Sequence, residues 1–236
     1  MSQLSLNLIA ISIFTVTMAS LLGPIVHLSP LVPAIATAGA LGIATLDTLS
    51  WQGQGATLLL DRLAQFSPQY RQRIAHHEAG HFLVAHHLGI PITGYSLNAW
   101  EALRQGHRGQ GGVQVDAQEL EQGLRSGSAS STSVLDRYCT VWMAGVAAES
   151  TTYGDVQGGK DDRQVLRAVL HQRGLPPAES EQAERWALLR AKTILTEQAD
   201  AYRALVTAME QRLSVADCIQ AIALNLVNIE RNPPTG

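Results

Sequence analysis

Tyr70-Arg71-Gln72-Arg73-Ile74-Ala75-His76-His77-Glu78-Ala79-Gly80-His81-Phe82-Leu83-Val84-Ala85 is the stretch on which the reading of this chain turns. It holds no Pro, and its apolar residues recur as on one amphipathic helix, packing behind the histidines. Four helical residues turn through about 400°, so His77 and His81 project from nearly the same face, one turn apart. Two imidazoles so placed can reach one zinc ion at about 2.0–2.1 Å each. Glu78 lies beside them, where it can take a proton from zinc-activated water. The plain alternative is a pair of ordinary surface histidines.

Working outward, the composition is uneven. No Asp, Glu, Lys or Arg occurs from Met1 to Leu46, whereas the rest of the chain is ordinarily charged. The uncharged opening divides at Gly23-Pro24 and Ser29-Pro30. Leu4 to Leu22 and Leu31 to Leu49 each approach the roughly 20 apolar residues that cross a bilayer as a helix. Residues 1–50 therefore predict a membrane anchor, a transmembrane helical hairpin. A cleaved signal peptide fits less well, because there is no positive n-region and the apolar text runs on. Arg62, Arg71 and Arg73 are the first cations beyond it, which places the remainder on the cytoplasmic or an equivalent side. The net charge of −3 and the lack of any basic cluster argue against a nucleic-acid partner. Cys139 and Cys218 sit in apolar helical text and read as reduced core residues.

Residues 51–66 read as a Gly/Gln linker, Trp51 to Ala56, and a short helix, Leu58 to Phe66. Residues 67–230 read as one mainly helical domain. Ser67-Pro68 starts the motif helix, which ends near Gly89. Thr93 to Asn98 and Gly112 to Val115 predict a small β-hairpin, with Arg104 to Gly111 as an exposed loop. Gly123 to Ser133 reads as a flexible Ser/Gly connection. Further helices are expected over Val134 to Ser150, Asp161 to His171, Pro177 to Asp200, Ala201 to Glu210 and Val215 to Val227.

A catalytic zinc takes three protein ligands, so two histidines leave one place to fill. His87 has the spacing of the metzincin signature, but Val84 stands where that signature has its turning Gly. Six residues on is about 240° around the helix, which points His87 away. His76 and His86 fail the same angular test. Glu101 lies at the distance expected of a thermolysin-like ligand, yet among strand and loop signals. The remaining candidate region is Tyr153-Gly154-Asp155-Val156-Gln157-Gly158-Gly159-Lys160-Asp161-Asp162. Gly154 to Lys160 also satisfies the phosphate-loop spacing, but Asp161 replaces the Mg²⁺-binding Ser/Thr and no strand precedes it.

Two blocks resemble the FtsH-type membrane zinc metalloproteases. Arg73 to His81 is similar to that family's motif helix. Met143-Ala144-Gly145-Val146-Ala147-Ala148-Glu149, continuing through Tyr153-Gly154 to Gly158-Gly159-Lys160-Asp161-Asp162, is similar to its second block. The resemblance covers Ser67 to Leu226 and implies a helical, zincin-like peptidase domain. It implies Asp162 as third zinc ligand, with Asp161 as fallback, and Glu149 as a carboxylate that orients a ligand histidine.

The implied activity is a membrane-anchored zinc metalloendopeptidase. Zn²⁺ is held by His77, His81 and Asp162, Glu78 is the general base, and unfolded or membrane polypeptides are the substrates. Tyr95, Ser96 and Leu97 are candidates to hold an extended substrate by strand pairing. The family places an ATPase module between anchor and peptidase, for which residues 51–66 leave no room. ATP-independent cleavage, or work beside a partner ATPase, follows from that departure. A hexameric homo-oligomer in contact with membrane lipid is implied by analogy alone. The competing expectation is a catalytically inactive FtsH-like scaffold or chaperone-type subunit.

Overall fold

In the computed structural model, residues 3–51, 55, 58, 59, 62, 64–106, 111–126 and 129–231 are described. The protein is mainly helical, with one small antiparallel sheet. Its chain packs as two units, Met1–Pro68 with Asn98–Gly111, and Gln69–Leu97 with Gly112–Gly236.

The first unit holds α1 (Gln3–Leu22) and α2 (Leu31–Trp51), joined by a 3-10 turn at Gly23–Val26. Pro24 and the left-handed His27 (φ 59°) reverse the chain, and Leu28 N–H closes onto the Gly23 carbonyl at 2.8 Å. Large apolar side chains such as Phe14, Ile35, Ile43 and Leu49 stand exposed along both helices. Their hydroxyls look inward instead: Thr17, Ser20, Thr37, Thr45 and Thr48 each donate to the carbonyl four residues back. That self-satisfaction suits a lipid environment, where no water is at hand to pair polar groups. Leu31–Ser50 is long and apolar enough to cross a membrane, whereas Ile9–Ile25 is a shorter apolar helix. One of the two expected crossings thus meets the requirement of length.

The expected short helix Leu58 to Phe66 falls partly outside the described residues; 58, 59, 62 and 64 are helical. Gly55, expected in the linker, is also helical. Part of the expected loop before Gly111, residues 107–110, lies outside the described residues. What precedes it is a helix, α4 (Ala99–Arg104), in the same unit. Asn98 starts it by accepting the Glu101 N–H at 2.7 Å, a side-chain cap on helix-forming Ala, Glu and Leu.

The second unit is built around the motif helix, α3 (Pro68–His87). Every residue from Ala79 to Ala85 is buried. The second half of the helix is therefore central, while its first turns, residues 68–72, are exposed. Gly80 makes this feasible: a Cβ there would lie 2.6 Å from the Ala144 carbonyl oxygen. The helix stops where Gly89 turns left-handed (φ 69°) and Ile90 N–H reaches back to the Ala85 carbonyl at 2.9 Å.

Strands β1 (Ile92–Ser96) and β2 (Gly112–Val115) pair antiparallel, Tyr95 opposite Val113, with an irregularity between Ile92 and Gly94. Six helices follow: α5 (Gln118–Ser126), α6 (Ala129–Trp142), α7 (Ala144–Tyr153), α8 (Lys160–Gln172), α9 (Pro177–Glu197) and α10 (Ala199–Glu210). A last helix, α11 (Val215–Arg231), packs beside α10 and β1. Two expectations are corrected. Gly123 to Ser133 is largely helical, apart from residues 127 and 128, which are not described. Leu124, within that stretch, packs half-buried against the core, and this packing overrides the Ser/Gly composition. Val134 to Ser150 is also two helices, broken at Met143.

Candidate metal centre

The break at Met143 sets up the site. The last four carbonyls of a helix have no partner within it, and Val141 is among those that end α6. Its oxygen accepts a hydrogen bond from His81 Nδ1 at 2.7 Å. A carbonyl can only accept, so His81 carries its proton on Nδ1 and turns the Nε2 lone pair inward. One turn earlier, His77 Nδ1 lies 2.7 Å from Oε1 of Glu149, whose side chain is buried on α7. Both imidazoles are thereby oriented by partners behind them, as metal-bound histidines commonly are.

The inward nitrogens meet Asp162, the third residue of α8. Its Oδ2 lies 3.3 Å from His77 Nε2 and 3.6 Å from His81 Nε2. Donors at about 2.0–2.1 Å from one tetrahedral ion stand roughly 3.3 Å apart, so the spacing fits zinc. The three donor atoms all lie within 4.8 Å of one another, and His77, His81 and Asp162 form a group that can hold a metal ion. Asp161, the fallback, is exposed on the same turn. A carboxylate in this first turn also benefits from the positive end of the helix.

Two other histidines of the motif helix are engaged elsewhere. His76 Nδ1 pairs with the Tyr202 hydroxyl at 2.9 Å, and His87 Nδ1 meets the Gln198 amide.

Glycines admit the ring and the loop. A Cβ on Gly145 would overlap the His77 imidazole, and one on Gly158 would lie 2.5 Å from Glu149 Oε1. The backbone of 154–159 can therefore wrap Glu149 closely. Gln157 N–H donates to Oε2 at 2.8 Å and Gly158 N–H to Oε1 at 3.1 Å.

The electrostatics follow from this crowding. Burial opposes charge on His77, but the hydrogen bonds that its ring donates to Asp162 and Glu149 overcome it and push its pKa up to about 10. Burial likewise opposes charge on His81, and Asp162 raises it nonetheless. Glu149 is pulled down to about 2, because His77 and the Gln157 amide outweigh the cost of its burial. Asp162 is held far below the usual carboxylate range by the two histidines, again against its burial. The centre is thus shaped for positive charge beside Asp162, which a proton or a cation can supply.

Glu78 projects beside the pair and meets β2, where the Val113 N–H donates to its Oε2 at 3.0 Å. The candidates for holding a substrate, Tyr95, Ser96 and Leu97, lie at the end of β1 and just beyond it. The Tyr95 hydroxyl donates to the Leu213 carbonyl at 2.6 Å and its ring packs edge-on to Phe82, while Ser96 and Leu97 are buried. The backbone of β2 is thus in contact with Glu78. The Val113 amide and the Val141 carbonyl escaped the sequence because backbone groups leave no residue-type signature. Arg73, which contacts Glu149, carried a faint one: it stands four residues before His77 on the same helix face.

No protein-family model matches the chain, and no curated protein matches it significantly.

Proposed function

We propose that this chain is a membrane-anchored zinc metallopeptidase of FtsH-like, zincin-like type, hydrolysing peptide bonds in unfolded or membrane-extruded polypeptides. The observation that carries the proposal is the shared direction of three donors. Both Nδ1 atoms are engaged from behind, and both Nε2 atoms converge with Asp162 Oδ2 at tetrahedral spacing.

His77, His81 and Asp162 hold the ion. When bound, zinc polarises the scissile carbonyl and makes water acidic enough to attack near neutral pH. Glu78 accepts the water's proton and passes it to the leaving amine. The Val113 N–H fixes which carboxylate oxygen is engaged and which is left for that proton. Glu149 holds His77 in its ligating tautomer. An extended substrate pairs along the small sheet, at the Tyr95 to Leu97 segment or on the side of β2 that faces Glu78.

The anchor spans the lipid bilayer with α1 and α2 together, leaving the peptidase part on the cytoplasmic or equivalent side. Cleavage by the chain itself needs no ATP. The chain assembles as a homo-oligomer, hexameric by analogy, or works beside a partner ATPase that supplies unfolded substrate.

The test uses the full chain in detergent micelles. Zinc content and cleavage of an unfolded casein are measured beside Glu78→Gln. One zinc per chain with Glu78-dependent cleavage supports the proposal. Zinc without such cleavage favours the scaffold, and no zinc at all removes the peptidase reading.

A further inference from the structure

Arg73 stands one turn before His77 on α3, and its guanidinium is mostly covered. Nη1 donates to Glu149 Oε2 at 2.9 Å, and Nη2 to Asp155 Oδ1 at 2.7 Å. The plane of the fork lies over the Tyr153 ring, 4.3 Å from its centroid. Glu149 belongs to α7, whereas Tyr153 and Asp155 lead into the segment that ends at Asp162. One side chain therefore touches the motif helix's own supporting carboxylate and the start of the loop that delivers the third donor.

The loop's remaining ties converge on the same point. Gln157 and Gly158 donate their amides to Glu149, and the Gln157 side chain reaches Asp155 at 3.3 Å. A rigid two-pronged cation suits two carboxylates at fixed separation; an ammonium on a flexible stem does not replace it.

We infer that Arg73 is a positioning residue that clamps the 154–159 loop to the motif helix and so sets the register of Asp162 against His77 and His81. This rests on the metal-site reading, and acts through Glu149 and Asp155 without contact with the ion. With the clamp removed, the two histidines stay on their helix, but the third donor loses its fixed distance. The segment between α7 and α8 then samples positions in which only two donors converge.

The test compares Arg73→Met and Arg73→Lys with the parent chain, all full-length in detergent micelles. Zinc affinity is measured by competition with a chromogenic chelator. The visible spectrum of Co²⁺ replacing zinc reports the coordination geometry, and hydrogen exchange reports the Gln157 and Gly158 amides. Arg73→Met is expected to weaken zinc about ten- to hundredfold, as for other partners of ligands. It is also expected to dim the tetrahedral cobalt bands and speed exchange at both amides. Arg73→Lys falls between, and Arg73→Met combined with Glu149→Gln weakens zinc by less than the product of the two single effects.

Parent-like affinity and cobalt spectrum in Arg73→Met overturn the inference. Should that variant fail to fold, Arg73→Lys decides by the same readouts, and unchanged affinity and exchange overturn it. Should the parent bind no zinc, the metal reading fails on its own. Amide exchange then decides the clamp, unchanged rates in Arg73→Met overturning it.

Discussion

The Val113 amide donates to Glu78 across 3.0 Å, tying the proposed general base to a strand 35 residues further along the chain. Because this N–H is directed at Glu78, it points off the ladder rather than toward Tyr95, its opposite number in the sheet. Val113→Pro therefore removes the tie without deleting a bond between the strands. A hydrogen bond to a charged group is worth about 1.5–3 kcal/mol, so kcat is expected to fall roughly ten- to hundredfold. Zinc content, measured alongside, stays at the parent level. A parent-like kcat would show that the contact does not orient the base.

Asp161 and Asp162 are neighbours in sequence with opposite expected outcomes. Asp162→Asn replaces a carboxylate that meets both imidazoles and should abolish stoichiometric zinc. Asp161→Asn alters an exposed side chain and should leave zinc content unchanged. Elemental analysis of the two purified variants checks the assignment. Loss of zinc in Asp161→Asn alone would reverse it.

Gly145→Ala puts a methyl group into the space of the His77 ring. Overpacking of this kind costs about 1–3 kcal/mol and moves the ring off its position. Lower thermal stability together with weakened zinc binding is expected. An unchanged zinc affinity would mean that the ring does not depend on the space above Gly145.

The metal-free protein should be most stable in mildly acidic solution. His77 has a folded pKa of about 10, above its unfolded value of about 6.5. Its contribution is complete below about pH 6.5 and is lost as pH rises through 10. Glu149 and Asp162 are depressed, so theirs is present above about pH 4.5 and lost as pH falls, for Glu149 through about 2. Thermal unfolding of the chelator-treated chain should therefore peak between about pH 4.5 and 6.5. Added zinc should raise stability more at pH 8 than at pH 5, roughly speaking, because it binds the neutral imidazoles. A flat profile would show that these groups do not form the native ion pairs.

Leu41 lies midway along α2 with its side chain exposed. If that helix spans lipid, Leu41→Arg opposes insertion by about 2.5–3.5 kcal/mol. Resistance to alkaline extraction from membranes is the readout, and parent-like retention would argue against α2 as the anchor.

Much of the fold could be read from local text. The apolar, uncharged run to Leu46 predicts the α1–α2 hairpin, and Ser67-Pro68 and Gly89 mark both ends of α3. The β1–β2 pair follows from alternation on either side of a Gly-rich gap. The failures have local causes too. The Ser/Gly richness of 123–133 hides helix, because Leu124 packs against the core. The break at Met143 is invisible because no Pro or breaker pair marks it; what accompanies it is the close approach of Gly145 to His77.

What the sequence by itself determined is the pair of imidazoles, since residues four apart on a helix must share a face whatever surrounds them. Resemblance to a family could nominate Asp162, but spacing along 85 residues carries no distance. Tertiary structure decided that this carboxylate meets both Nε2 atoms, that Val141 and Glu149 hold the rings, and that β2 faces Glu78. The physical reason is that helix geometry propagates over one turn, whereas the meeting of α3, α7, α8 and β2 depends on how buried surfaces pack. Where glycine lets backbones approach, that packing is set by shape rather than by any pattern along the chain.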